Sequence, residues 1–173
     1  MFMSKKKSVG LGKILNLVAI ALGVVAIAMI FVTSMNINGS VFGLEGTTSF
    51  TGLDVVFGMS EGDVTFIEFS FLNLLPYILL VVAVVLLILS LLGVVKKNLV
   101  NYIAALLMIV AGVLFFLTVN FTILNEAFQS AIDLVNIAKE LVTKTLGVGA
   151  IVAGIASILG GLVVIGGTVK AKK

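Results

Sequence analysis

Four stretches of the chain, residues 14–32, 71–95, 99–119 and 146–169, contain no Asp, Glu, Lys, Arg or His. Each reaches the roughly 20 apolar residues that carry a helix across a hydrocarbon core about 30 Å thick. Lipid offers no partner for a backbone N–H or C=O, so such segments pair their polar backbone internally and form helices. Composition shows that lipid must supply the surroundings. The chain is 61% hydrophobic and 11% charged, with a mean hydropathy of +1.32, whereas a soluble domain is nearer half apolar and a quarter charged. One small core cannot hide that much apolar surface. The fold expected is an all-α membrane protein: a single four-transmembrane-helix bundle over 1–173, with a small β-containing outer loop at 33–70 and an outer amphipathic helix within 120–145.

Charge orients the bundle. Lys5, Lys6, Lys7, Lys13, Lys96, Lys97, Lys170, Lys172 and Lys173 flank one set of span ends, with no acid among them. The opposite connections hold Glu45, Asp54, Glu61, Asp63, Glu68, Glu126, Asp133 and Glu140, with only Lys139 and Lys144 for balance. Loops rich in lysine stay in the cytoplasm. The expectation is therefore a multi-pass plasma-membrane protein with both termini cytoplasmic. The first span follows a lysine-rich start, and Val32-Thr33-Ser34 resembles a cleavage site. Its apolar run nevertheless exceeds the 7–15 residues of a signal-peptide core, so it reads as a retained span.

Missing residue types remove whole chemistries. Cysteine, histidine and tryptophan are absent, which takes away disulfides, thiol nucleophiles, thiolate or imidazole metal ligands and the usual imidazole acid/base. Every basic residue is lysine, so bidentate arginine recognition of phosphate is lost as well. That lysine usage fits an AT-rich genome such as that of a low-GC bacterium. The net charge of +3 lies beside apolar runs rather than on one soluble face, so no nucleic-acid partner is expected. No catalytic, cofactor or metal motif is present, and no cofactor is expected.

Within the spans, small residues mark helix contacts. Ala19 and Gly23 share a face of the first span. In the fourth, Gly149, Ala153, Ser157 and Gly161 recur every four residues, with Gly154 beside them. Small side chains let backbones approach where lipid removes the hydrophobic drive for association. The second span is leucine-rich and is expected to face lipid more than protein. The Lys96-Lys97-Asn98 turn makes it a hairpin with the third. Asn16 and Asn101 lie about one turn in from the lysine-bearing face, where they can bond across helices, and Asn73 lies at the outer end. No carboxylate or lysine sits between the membrane faces, which speaks against a proton-coupled carrier acting alone.

The first outer loop alternates Gly/Ser/Thr/Asn clusters with short apolar runs. Residues 63–69 read as a strand, and 53–57 as a second. Glu61, Asp63 and Glu68 lack the spacing of a calcium loop, so they read as a solvated acidic surface. In the second connection Leu124, Phe128, Ile132, Val135, Ala138 and Val142 keep helical spacing, which predicts an amphipathic helix over 126–143. Its polar face is nearly neutral, so apolar burial rather than lipid headgroups must hold it. Phe128, Ile132 and Val135 are expected to meet Phe66 and Phe69 in one outer cap.

Four spans, internal ends, a larger first outer loop with strand character and a smaller second loop resemble the claudin-like tetraspans in topology. Gly43-Leu44 and Gly52-Leu53 are the traces of that family's loop motif; its tryptophans and cysteines are absent, so no residue role carries over. The chain also resembles the small tetraspan proteins of low-GC bacteria. The function expected is a non-enzymatic tetraspan membrane scaffold or self-assembling structural protein within membrane lipid, whose anionic extracellular cap is the contact surface for a homo-oligomer or another membrane protein. The alternative is a channel-forming or transporter-accessory subunit with a pore between protomers. A membrane enzyme working through loop carboxylates is the weakest reading.

Overall fold

A computed structural model describes residues 10–41, 44–95, 97–137 and 142–170 of the protein. Four helices are long and apolar enough to cross a membrane. They are α1 (Leu11–Ala28, continued by a 3-10 turn at Met29–Phe31), α3 (Phe71–Leu92), α4 (Lys97–Phe116) and α7 (Val148–Lys170). Each lies within a few residues of its expected span, and the chain is a four-span membrane protein by this count. Helix α3 stops three residues before the expected limit of 95. Gly93 there takes a left-handed φ of 78°, and its N–H donates to the carbonyls of Leu89 and Ser90, the close of a helix that glycine permits most readily.

The helices form a ring in the order α1, α7, α4, α3, with α3 closing back on α1. Their shared core includes Leu80, Leu87, Met108 and Phe115, all at most 1% exposed. Tyr77 meets Phe115 edge to face, with ring centroids 4.9 Å apart. The leucine-rich second span, expected to face lipid more than protein, buries less than half of its most apolar stretch, 39%, and does so on one face. Its Leu80, Ala83, Val84 and Leu87 are buried while Val81, Val82, Val85 and Ile88 are exposed. The corresponding stretch of α4 buries the same share, and that of α1 buries least, at 22%. Composition alone did not separate the faces, because bulky residues occupy both.

Beyond the outer ends of the helices lies a second, separate apolar cluster of Met35, Ile37, Phe50, Val55, Ile67 and Ile132. Strands β1 (Thr33–Val41) and β2 (Leu44–Thr51) form a long antiparallel hairpin, and β5 (Val142–Leu146) pairs with the other edge of β1, giving the order β2-β1-β5. A shorter pair, β3 (Met59–Glu61) with β4 (Val64–Ile67), makes a second sheet. Helices α2 (Gly52–Phe57), α5 (Thr118–Phe121) and α6 (Glu126–Ile137) complete the cap.

Three expectations are corrected here. Residues 53–57 are helical, because Thr51 and Asp54 form a reciprocal capping box at the start of α2, which satisfies the first free N–H groups of a helix. The expected strand over 63–69 shortens to β4. The helix expected over 126–143 ends its described part at Ile137, and Val142–Leu146 is a strand. Val142, Lys144 and Leu146 are half-buried while Thr143 and Thr145 are exposed, the period-2 signature of a sheet. Ala138 lies outside the described residues.

Candidate functional site

The two ends of the bundle carry different chemistry. At the end away from the lysines the cap is built around β1, which follows α1, and β5, which runs straight into α7. The two segments stay side by side through sheet and membrane alike. The crossover is tight: a side chain at Gly147 would strike the backbone of Thr33 and Ser34, and the Gly147 N–H bonds to the Ser34 carbonyl at 2.9 Å. Across the exposed face of the sheet, uncharged polar side chains form a ladder. Thr47 Oγ1 donates to Asn38 Oδ1 at 2.9 Å, and Asn38 Nδ2 to Thr145 Oγ1 at 3.1 Å. Ser49 Oγ donates to Asn36 Oδ1 at 2.8 Å.

Helix α6 seats on this body. Phe128 meets Phe66 edge to face at 5.3 Å, and Ile132 is buried in the cap cluster. The N–H of Asn125 bonds to the Phe66 carbonyl, and Lys144 Nζ donates to Gln129 Oε1 at 3.1 Å. Phe66, Phe128 and Ile132 are thus brought together. Phe69 is not: it is 51% exposed beside Phe71 at the start of α3. The side chain of Val135 lies outside the described residues. The cap is tied to the spans by Asn73, whose Nδ2 donates to the Val55 carbonyl and to Thr122 Oγ1. Ser70 Oγ adds a bond to the Phe121 carbonyl at 2.6 Å.

The small residues of α7 and α1 lie in helix contacts. A side chain at Gly149 would strike Val32 and Thr33, one at Gly154 would strike Phe116, and one at Gly161 the Ala105 carbonyl and Ile109. Ala153 and Ser157 are fully buried. Each four-residue step advances about 40° beyond a full turn, so the stripe winds from the α1 side of α7 to its α4 side. Ala19 is fully buried, and the space beside Gly23 is taken by Val84 of α3.

At the lysine-bearing end, one polar side chain from each span converges. Ser90 Oγ donates to Asn101 Oδ1 at 2.7 Å, and Asn101 Nδ2 to Thr168 Oγ1 at 3.3 Å. Asn16 Nδ2 approaches Asn101 Oδ1 at 3.5 Å, leaving the buried Oδ1 of Asn16 without a partner. These residues floor a half-open cavity of about 190 Å³, rimmed by Gly10, Gly12, Lys13, Asn98 and Gly167. Sequence reasoning found Asn16 and Asn101 but missed Ser90 and Thr168. The available signal was their depth: each lies within one turn of its span's end, level with the asparagines. Among the described residues no group of three carboxylates is placed to hold a metal ion.

Comparison with known proteins finds no family that matches the chain and no curated protein similar to it. The fold and its two ends define the class: a tetraspan protein with a folded cap.

Proposed function

We propose that the protein is a non-enzymatic membrane scaffold, oriented with both termini in the cytoplasm, whose outer cap is the surface that meets a partner. The observation carrying this reading is that the cap has its own apolar core and is built into α1 and α7, so it presents a fixed shape rather than a loose loop. Strand β2 leaves its outer edge open, and an open strand edge accepts a strand from another chain. The side chains of the polar ladder beside it carry no charge, and a second copy of the chain is the partner argued for.

Protein extracted with its native lipids and weighed by mass photometry tests this. Assemblies larger than one protomer are expected, and Thr48→Lys on the open strand is expected to reduce them to single chains. Small closed assemblies that conduct ions across a planar bilayer would replace the scaffold with the channel reading, and uniformly monomeric protein would overturn self-association altogether.

A further inference from the structure

One part of the cap exposes large apolar side chains where it joins the start of α3. We propose that this face, carrying Phe57, Phe69 and Ile123, is sunk into the bilayer on the cap side, so that the cap rests on lipid as well as on the spans. Three segments meet there through their backbones. The Ser70 N–H donates to the Val56 carbonyl and the Glu68 N–H to the Ile123 carbonyl, both at 2.9 Å. Gly58, at a φ of 90°, lies so close to the third that a Cβ would stand 2.8 Å from the Ile67 carbonyl oxygen. Each segment leaves one large apolar side chain open beside this junction: Phe57 is 57% exposed, Phe69 51% and Ile123 48%. None of the three belongs to a span.

What covers the face is decided by what it adjoins. Ser70 is extended, with φ −121° and ψ 106°, and its side chain is buried, donating through Oγ to the Phe121 carbonyl. Side chains alternate along extended backbone, so Phe69 and Phe71 share the opposite, open side. Phe71 begins α3 and is itself exposed, and Ile78 follows on the same helix stripe about two turns on. There Leu74, Tyr77, Ile78, Val81 and Val82 line an open apolar groove of about 260 Å³. In a four-span bundle that stripe lies against lipid, and the apolar surface continues from it through Phe71 and Phe69 to Phe57. Side chains of this kind bury roughly 5–10 Å into the boundary between headgroups and acyl chains. The carboxylates of Asp54 and Glu68, close to the face in sequence, are engaged by other groups. Asp54 accepts from the Thr51 N–H and hydroxyl, and Glu68 from Asn125 Nδ2 at 3.2 Å. The inference rests on the membrane-spanning reading and is independent of the partner proposed for β2.

The chain has no tryptophan, which makes the test direct. Single-tryptophan chains Phe57→Trp, Phe69→Trp, Ile78→Trp and Thr47→Trp are reconstituted into phosphatidylcholine vesicles with and without bromine on the acyl chains. Ile78→Trp reports the span, and Thr47→Trp reports the sheet, where Thr47 is exposed opposite Asn38. Phe57→Trp and Phe69→Trp are expected to emit to the blue and to lose about half of their emission or more to brominated lipid, as a side chain at the acyl boundary does. Ile123→Trp, a third reporter on the same face, should behave alike. Thr47→Trp should emit as in water and lose none. Quenching at Ile78→Trp with none at the face positions would overturn the inference alone. Blue emission at the face without quenching would also overturn it, assigning the face to protein contact. Equal quenching of Thr47→Trp would show lipid contact that is not particular to this face and would overturn it as well. An unquenched Ile78→Trp would remove the membrane-spanning reading, and the inference with it.

Discussion

At the scale of single residues, two features govern stability inside the bundle: space and satisfied polarity. Ala153 is fully buried on α7, and extra methylenes in a packed contact typically cost about 1–3 kcal/mol. Ala153→Leu is therefore expected to lower the thermal midpoint in detergent clearly. Ile88→Ala on the exposed face of α3 should change stability by no more than about 0.5 kcal/mol. Leu86 would be a poor control despite its leucine-rich setting, since it packs on the core. Asn101 ties α4 to the other three spans, so Asn101→Leu removes the acceptor of Ser90 and the donor to Thr168 together. A loss of about 1 kcal/mol or more in the same melt is expected, and no loss would show that the cluster is incidental. The asparagines were legible because an amide inside a span needs a partner elsewhere. The hydroxyls were not, because a serine or threonine can satisfy itself on its own helix. Thr168 Oγ1 does so toward the Val164 carbonyl while also accepting from Asn101.

At the scale of elements, the cap stands or falls with the seating of α6. Phe128→Asp places a charge against Phe66 and should loosen α6 and the β3–β4 pair together. Limited proteolysis is then expected to nick both segments at the same rate, and cleavage of α6 alone would mean that the first loop holds its shape independently. The helical reading of the second connection succeeded over Glu126–Ile137, where Phe128 and Ile132 repeat at four residues. It failed at Val142, which satisfies both that spacing and the alternation of Val142, Lys144 and Leu146. A long-range partner decided the matter: β5 is a strand because β1 lies beside it. Residues 53–57 show the converse. Their apolar run suits a strand, but the local capping box commits them to a helix turn.

For the molecule as a whole, the spans were readable because lipid imposes one backbone solution on a long apolar run. The sheet was not, because its central pairing sets Asn38 opposite Thr143 and bonds its side chain to Thr145, 107 positions away, and no local pattern encodes that register. The orientation proposed from the lysines is open to direct measurement. A cysteine in place of Ser60 is expected to react with an impermeant maleimide in intact cells. One in place of Asn98 should react only after the membrane is opened. The natural chain has no thiol to confuse the readout. Labelling of both from outside would contradict the four-span arrangement itself.

The pairing of β1 with β5 also imposes an order in time. Strand β1 emerges from the ribosome well before β5 and α7. Through that interval one edge of β1 stands open, and α1 lacks the helix it packs against most closely. The arrival of β5 and α7 completes the ring and the sheet in one event, so assembly of the two halves is coupled. A chain interrupted after Ile137 would retain three spans and an unpaired β1 edge, a surface that invites association with other nascent chains and marks the product for degradation.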